Sequence, residues 1–205
     1  KYKVALLSTE ENNKAIIATA NALVDEADSI IAANSIDMKN GQAKGLSQGM
    51  LDRLKLDKVR IEGMAEGLRQ VASLENPVGK ETESWDRPNG LRITKRLVPI
   101  GVVGVIYEAR PNVTADVFGL CFKTGNSVVL KGGSDAIESN KAIVKVIRNV
   151  LESQGLPSDA ITLIEDTSRE STNQLMRMKN KNLGKKLLSF LLALAMVVGL
   201  MPGMG

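Results

Sequence analysis

Residues 97–140 read LVPIGVVGVIYEARPNVTADVFGLCFKTGNSVVLKGGSDAIESN, and the order of patterns in this stretch decides the fold. Residues 102–107 form an almost unbroken apolar run, the pattern of a strand covered on both faces. The run ends in Glu108-Ala109-Arg110-Pro111-Asn112, a charged turn at the carboxyl end of the strand. Pro111 suits a first helical turn, where a missing N–H costs nothing. Thr124-Gly125-Asn126 closes that helix, and residues 127–130 make a second short strand. This strand runs into Lys131-Gly132-Gly133-Ser134 and a further helix that reaches about Gln154. Gly155-Leu156-Pro157 stops the helix, with Gly as cap and Pro as terminator, and residues 160–164 supply a third strand. Strands alternating with helices imply right-handed crossovers and a parallel sheet. Ligands of such sheets bind at the carboxyl ends of the strands. The expected fold class is therefore α/β, with a partial Rossmann-like parallel sheet.

Upstream of this stretch the pattern is helical and then ribbon-like. Thr9-Glu10-Glu11 is a helix start, with acidic residues at the positive end of the dipole. Ile16, Ala20, Leu23, Val24, Ala27, Ile30 and Ile31 recur at helical spacing. A loop rich in Asn, Gly and Lys is expected over residues 34–45. Residues 50–74 give a second helical stretch, with Leu51, Leu54, Val59, Ile61, Met64, Leu68, Val71 and Leu74 as core positions and a bend expected at Gly63. Residues 81–98 read as a β-hairpin or ribbon around Pro88-Asn89-Gly90, with Trp85 and Ile93 packing on one side. The expected organisation is an N-terminal helical arm (1–78), a β-ribbon (79–98), a partial nucleotide-binding α/β domain (99–178) and an apolar tail (179–205).

Composition narrows the functions. The 205 residues are 43% hydrophobic and 24% charged, as in ordinary globular proteins, and the formal net charge is +4. Basic and acidic residues are interspersed and aromatic content is 3%, which argues against nucleic acid as a partner. A single Cys rules out an internal disulfide framework and suits a reducing compartment. The absence of His excludes a Ser-His-Asp triad, a Cys-His pair and any zinc site that needs imidazole, and no metal is expected.

The stretches IYEARPNVT (106–114), LCFKTGNSVVLKGGS (120–134) and IESN (137–140) resemble the gamma-glutamyl phosphate reductases, also called glutamate-5-semialdehyde dehydrogenases, of the aldehyde dehydrogenase superfamily. The resemblance begins near Leu7 with LSTEENNKAI, runs nearly gap-free through residues 51–79 and 85–112, fades after Glu165-Asp166 and is gone by about Lys179. It covers the front part of the family pattern. It implies an aldehyde dehydrogenase-type fold and NADPH-dependent reduction of L-glutamyl 5-phosphate to L-glutamate 5-semialdehyde in cytoplasmic proline biosynthesis. It also implies a ribbon that helps to build a homo-oligomer. The family chemistry runs through attack by a Cys, an oxyanion held by an Asn, phosphate departure and hydride delivery.

Carried onto this sequence, the resemblance makes Asn112 the oxyanion donor; a helix-capping Asn is the plainer alternative, and the two are compatible. Lys131, Gly132, Gly133 and Ser134 correspond to the cofactor bed, with NADP as the cofactor. A solvated Lys on a turn is the default reading of Lys131, and Ser134 can equally cap the next helix. Arg110 suits an anionic substrate, against an internal ion pair with Glu108 or Asp116. Cys121 lies mid-helix between Leu120 and Phe122 and reads as a small buried hydrophobe, not a nucleophile. The family's catalytic Cys lies downstream of the matched region, so no turnover is expected of this chain alone.

The tail from Met178 reads MKNKNLGKKLLSFLLALAMVVGLMPGMG: a basic start, an apolar run and small residues with a Pro, the layout of a secretory signal peptide. The run is short for a membrane-spanning helix. The chain is expected to be a fragment of the family joined to unrelated sequence. The alternatives are a genuine apolar tail that tethers the protein to a membrane, and a noncatalytic nucleotide-binding or assembly fragment.

Overall fold

The computed structural model describes residues 1–178; the expectations for the apolar tail fall outside them. The arm consists of α1 (Tyr2–Ala5), α2 (Thr9–Asp25), α3 (Ala27–Ala43), α4 (Gln48–Leu54) and α5 (Lys58–Ser73). The start of α2 is a capping box: Ser8 Oγ accepts from Glu11 N at 3.1 Å, and Glu11 Oε2 accepts from Ser8 N at 2.8 Å. Ile16, Ala20, Leu23 and Ile30 are fully buried, as their spacing requires.

The loop expected over residues 34–45 is instead the second half of α3, which ends only before Gly45 with its φ of +74°. Asn34 and Asp37 favour turns when their side chains bond to their own backbone. Here both side chains bond to distant elements. Asn34 Nδ2 donates to the Leu54 carbonyl (2.8 Å) and to Ser139 Oγ (3.0 Å), and its Oδ1 accepts from Leu56 N (2.8 Å). The Asp37 carboxylate accepts from Ser139 N (2.8 Å), Ser139 Oγ (2.6 Å) and Glu138 N (3.2 Å). Burial raises the pKa of Asp37 against these hydrogen bonds.

The helical stretch of residues 50–74 is broken in two at residues 55–57, where Asp57 Oδ1 caps α5 by accepting from Arg60 N at 2.9 Å. The break resets the helical phase. Ile61, Met64 and Leu68 keep their buried places, but Val59 is 81% and Leu74 57% exposed, contrary to their assignment to the core. Helix α5 runs unbroken through Gly63 and packs against α2 and α6.

The ribbon forms as expected. Strand β1 (Glu81–Asp86) pairs antiparallel with β2 (Arg92–Arg96), Trp85 faces Ile93, and Gly90 turns the chain at a φ of +82°. Every residue of β1 is exposed.

Strands β3 (Val102–Ile106), β4 (Ser127–Lys131) and β5 (Ile161–Leu163) form a parallel sheet in that order, crossed by α6 (Asn112–Lys123) and α7 (Ile137–Ser153) and followed by α8 (Arg169–Arg177). The expectation that β3 is covered on both faces is corrected: Val102 is 45% exposed and Val103, Gly104 and Ile106 are half-buried. Among the described residues β3 is an edge strand. Val105 points into the core shared with the arm, while the opposite face at Gly104 meets Leu175 of α8. Helix α6 is the keystone between sheet and arm. Phe118 and Phe122 stack with ring centroids 5.2 Å apart, and Gly119 lets Leu68 of α5 approach to 2.6 Å of where a side-chain carbon would sit. The buried Lys123 ammonium donates to Asn13 Oδ1 (2.6 Å) and the Ala72 carbonyl (2.8 Å), tying α6 to the arm, and desolvation lowers its pKa.

Candidate functional site

The parallel register ends β3 and β4 at one level: Ile106 lies beside Lys131, and Tyr107 N donates to the Lys131 carbonyl at 3.1 Å. The two following turns then touch. A side-chain carbon on Gly133 would lie 3.1 Å from Ala109 N and 3.4 Å from the carbonyl carbon of Glu108. On Gly132 it would overlap Asn140 Nδ2 and lie 3.2 Å from the Tyr107 ring. The turn that follows β3 and the turn that follows β4 are thus in contact at the carboxyl edge of the sheet, through Gly133 and the Glu108-Ala109 backbone.

Asn112 is exposed and stands as the first residue of α6. It does not cap the helix: Pro111 occupies the cap position in helical geometry, without a side-chain bond. Asn112 Nδ2 donates to Asp116 Oδ2 at 3.3 Å, a long bond one helical turn along. Burial raises the pKa of Asp116, and the Asn112 amide opposes the shift.

Arg110 is half-buried, and its Nε lacks a hydrogen-bond partner. Among the described residues it forms no ion pair with Glu108 or Asp116. Lys131 is not a solvated turn residue: it is 4% exposed, and among the described residues its ammonium makes one long hydrogen bond, 3.4 Å to the Gly132 carbonyl. Asp166, beyond β5, has its pKa lowered chiefly by Ser168 and also by the Lys131 charge. Ser134 is exposed and opens a short 3-10 turn (Ser134–Ala136) with Gly133 at the cap position, so it is not the cap. Burial pushes the Cys121 thiol up to about 11, which suits an inert helix-face residue.

The sequence reading missed a buried polar chain beneath this edge. The Tyr107 hydroxyl lies 2.7 Å from Thr114 Oγ1, which donates to Asn140 Oδ1 at 3.0 Å. Burial pushes the Tyr107 phenol up to about 12. One signal was available: Thr114 shares a helical stripe with Phe118, and Asn140 with Ile143 and Ile147, so both are polar residues at core phase.

A parallel sheet crossed by helices and joined to a helical arm and an exposed ribbon places the chain in the α/β class. The aldehyde dehydrogenase family model matches residues 5–183, and the chain belongs to that family. The chain is 55% identical over 177 residues to the gamma-glutamyl phosphate reductase of Heliobacterium modesticaldum, covering 86% of this chain and 42% of that protein. It is 53% identical to the protein of the same name from Caldanaerobacter subterraneus subsp. tengcongensis, with the same coverage. The crystal structure of gamma-glutamyl phosphate reductase from Thermotoga maritima superposes with a TM-score of 0.83 at 40% identity, over 85% of this chain and 42% of that one. A probable aldehyde dehydrogenase from Listeria monocytogenes, at 17% identity, shares the fold with a TM-score of 0.66 over 87% of this chain and 36% of its own. The chain therefore spans 42% of the length of these curated relatives. No helix among the described residues is long and apolar enough to cross a membrane.

Proposed function

We propose that this chain is the front part of an NADPH-dependent enzyme that reduces L-glutamyl 5-phosphate to L-glutamate 5-semialdehyde, with release of phosphate, in cytoplasmic proline biosynthesis. The names of its relatives support the substrate and the reaction. The observation that carries the reading in this molecule is the contact between Gly133 and the Glu108-Ala109 backbone, which joins the Asn112 turn to the Lys131 turn.

Asn112 offers an exposed amide N–H to a developing oxyanion, an interaction worth about 3 kcal/mol when desolvated. Lys131, Gly132, Gly133 and Ser134 form the cofactor bed. The donor set suits an anionic dinucleotide: a buried ammonium with one long contact among the described residues and, in the adjoining turn, a guanidinium whose Nε has no partner among them. The dinucleotide supplies hydride. Arg110 directs its guanidinium charge to the substrate's phosphate or carboxylate. The functional units are the helical arm (1–78), the ribbon (79–98) and the α/β part (99–178), as the sequence pattern divides them.

The only thiol of this chain, Cys121, is unsuited to attack, so the chain alone turns nothing over. Titration with NADPH, followed by fluorescence, tests the bed: saturable binding is expected, and its loss in Lys131→Ala. Absence of binding in the parent chain, or steady reduction of glutamyl phosphate by it, would overturn the respective part. The exposure of every β1 residue favours a second role for the ribbon, assembly into a homo-oligomer, which sedimentation of the chain tests.

A further inference from the structure

We propose that Tyr107, Thr114 and Asn140 form a positioning network, with Thr114 as its hub, that fixes the Asn112 helix start and the Lys131-Gly132-Gly133-Ser134 turn relative to each other. Its bearing on cofactor affinity rests on the reading of that turn as the cofactor bed.

The hydrogen bonds have one direction. Thr114 Oγ1 has a single proton and donates it to Asn140 Oδ1, so the 2.7 Å contact to Tyr107 is donated by the phenol. The chain runs from Tyr107 to Thr114 to Asn140. Its members come from three elements. Tyr107 follows β3, Thr114 stands two residues after Asn112 in the first turn of α6, and Asn140 lies in the first turn of α7. Tyr107 is buried, and Thr114 and Asn140 are wholly so.

Apolar side chains would fill this space without the desolvation cost of a hydroxyl and an amide. What the hydrogen bonds add is a set distance and direction between three elements. Asn140 shows what is held. Its Oδ1 is taken by Thr114, and its Nδ2 is buried, lacks an acceptor among the described residues and lies where a Gly132 side chain would be. The amide is therefore the back wall of the Gly132 turn, and Thr114 sets its orientation. None of the three side chains needs to touch a ligand for the network to set the two turns.

Hydrogen–deuterium exchange on the full chain, read by mass spectrometry for the parent, Thr114→Val and Thr114→Ser, tests this. Thr114→Val is expected to speed exchange about tenfold, the size of one buried hydrogen bond, in both residues 108–115 and 131–140, leaving α2 and α5 unchanged. Thr114→Ser keeps the hydroxyl and is expected to restore parent exchange in both segments. Faster exchange confined to the start of α6, or an equal rise through the whole chain, would overturn the network. Should Thr114→Val fail to fold, Tyr107→Phe removes the first link alone. A smaller rise in both segments supports the network, and no rise in the Gly132 segment overturns it. NADPH titration of the same variants separates the two readings. Exchange coupling in a chain that takes up no NADPH supports the network and defeats the cofactor bed. NADPH binding without exchange coupling defeats the network and leaves the bed standing.

Discussion

The two strand tips that meet at the sheet edge are built in opposite ways. The tip after β3 is open: Asn112 is exposed, and among the described residues its amide is tethered by one 3.3 Å bond to Asp116. The tip after β4 is closed: Lys131 is 4% exposed, and both following glycines lie against protein atoms. An exposed amide can turn at little cost, whereas a buried ammonium followed by two close-packed glycines is held in place. Chemistry with a developing charge needs both, a donor able to reach the reacting atom and a fixed bed that sets where that atom lies.

The largest effect expected from this contrast is at Gly132. Its neighbour Asn140 is wholly buried and held by Thr114, so an added methyl group has no space to enter. Gly132→Ala is expected to destabilise the chain by about 3 kcal/mol, the upper range for overpacking, seen as a fall in the denaturant midpoint. A loss below about 1 kcal/mol would mean that the closed tip yields, and the contrast between the tips would fail.

The architecture of the α/β part was legible in the sequence because its signals are local. Apolar runs gave the strands, Gly125 and Gly155 gave the helix ends, and Asn89-Gly90 gave the ribbon turn. The arm was less legible where tertiary contacts override local preference. Asn34 and Asp37 read as loop residues, yet their side chains bond to the Leu54–Leu56 backbone and to the start of α7, more than 100 positions away for Ser139. Val59 matched the helical period only across a break that Asp57 introduces, so its burial was misjudged. Asn112, Arg110 and the Lys131 turn stand out as polar residues at strand ends, a local pattern, while the roles expected of them rest on the family resemblance. Tyr107, Thr114 and Asn140 escaped because their partners lie on three different elements.

A smaller effect sharpens the contrast through pH. Burial raises the pKa of Asp116 above the ordinary carboxylate value, so the folded chain holds this proton more tightly than the unfolded chain. The resulting stability is fully present below the unfolded carboxylate pKa and is lost as pH rises through the raised folded value. Asp116→Asn cannot ionise, and its stability is expected to change less across that rise than the parent's. An identical pH profile for the two would mean that Asp116 titrates as a solvated group.

The smallest effect belongs to Asn112 itself. Its side chain is exposed, caps nothing and makes one long bond, so Asn112→Ala is expected to change stability by at most about 0.5 kcal/mol. The same substitution removes the hydrogen bond that lowers the pKa of Asp116, so that pKa is expected to rise further, visible in an NMR titration of the carboxyl carbon. The pair of measurements separates two accounts of the open tip. A residue retained for stability would cost far more than 0.5 kcal/mol when truncated and would leave Asp116 within a disturbed helix start. A residue held ready for a ligand, the role proposed for Asn112, leaves the fold intact and changes only its neighbour's charge balance, so a small stability change together with a raised Asp116 pKa is the outcome expected of that role.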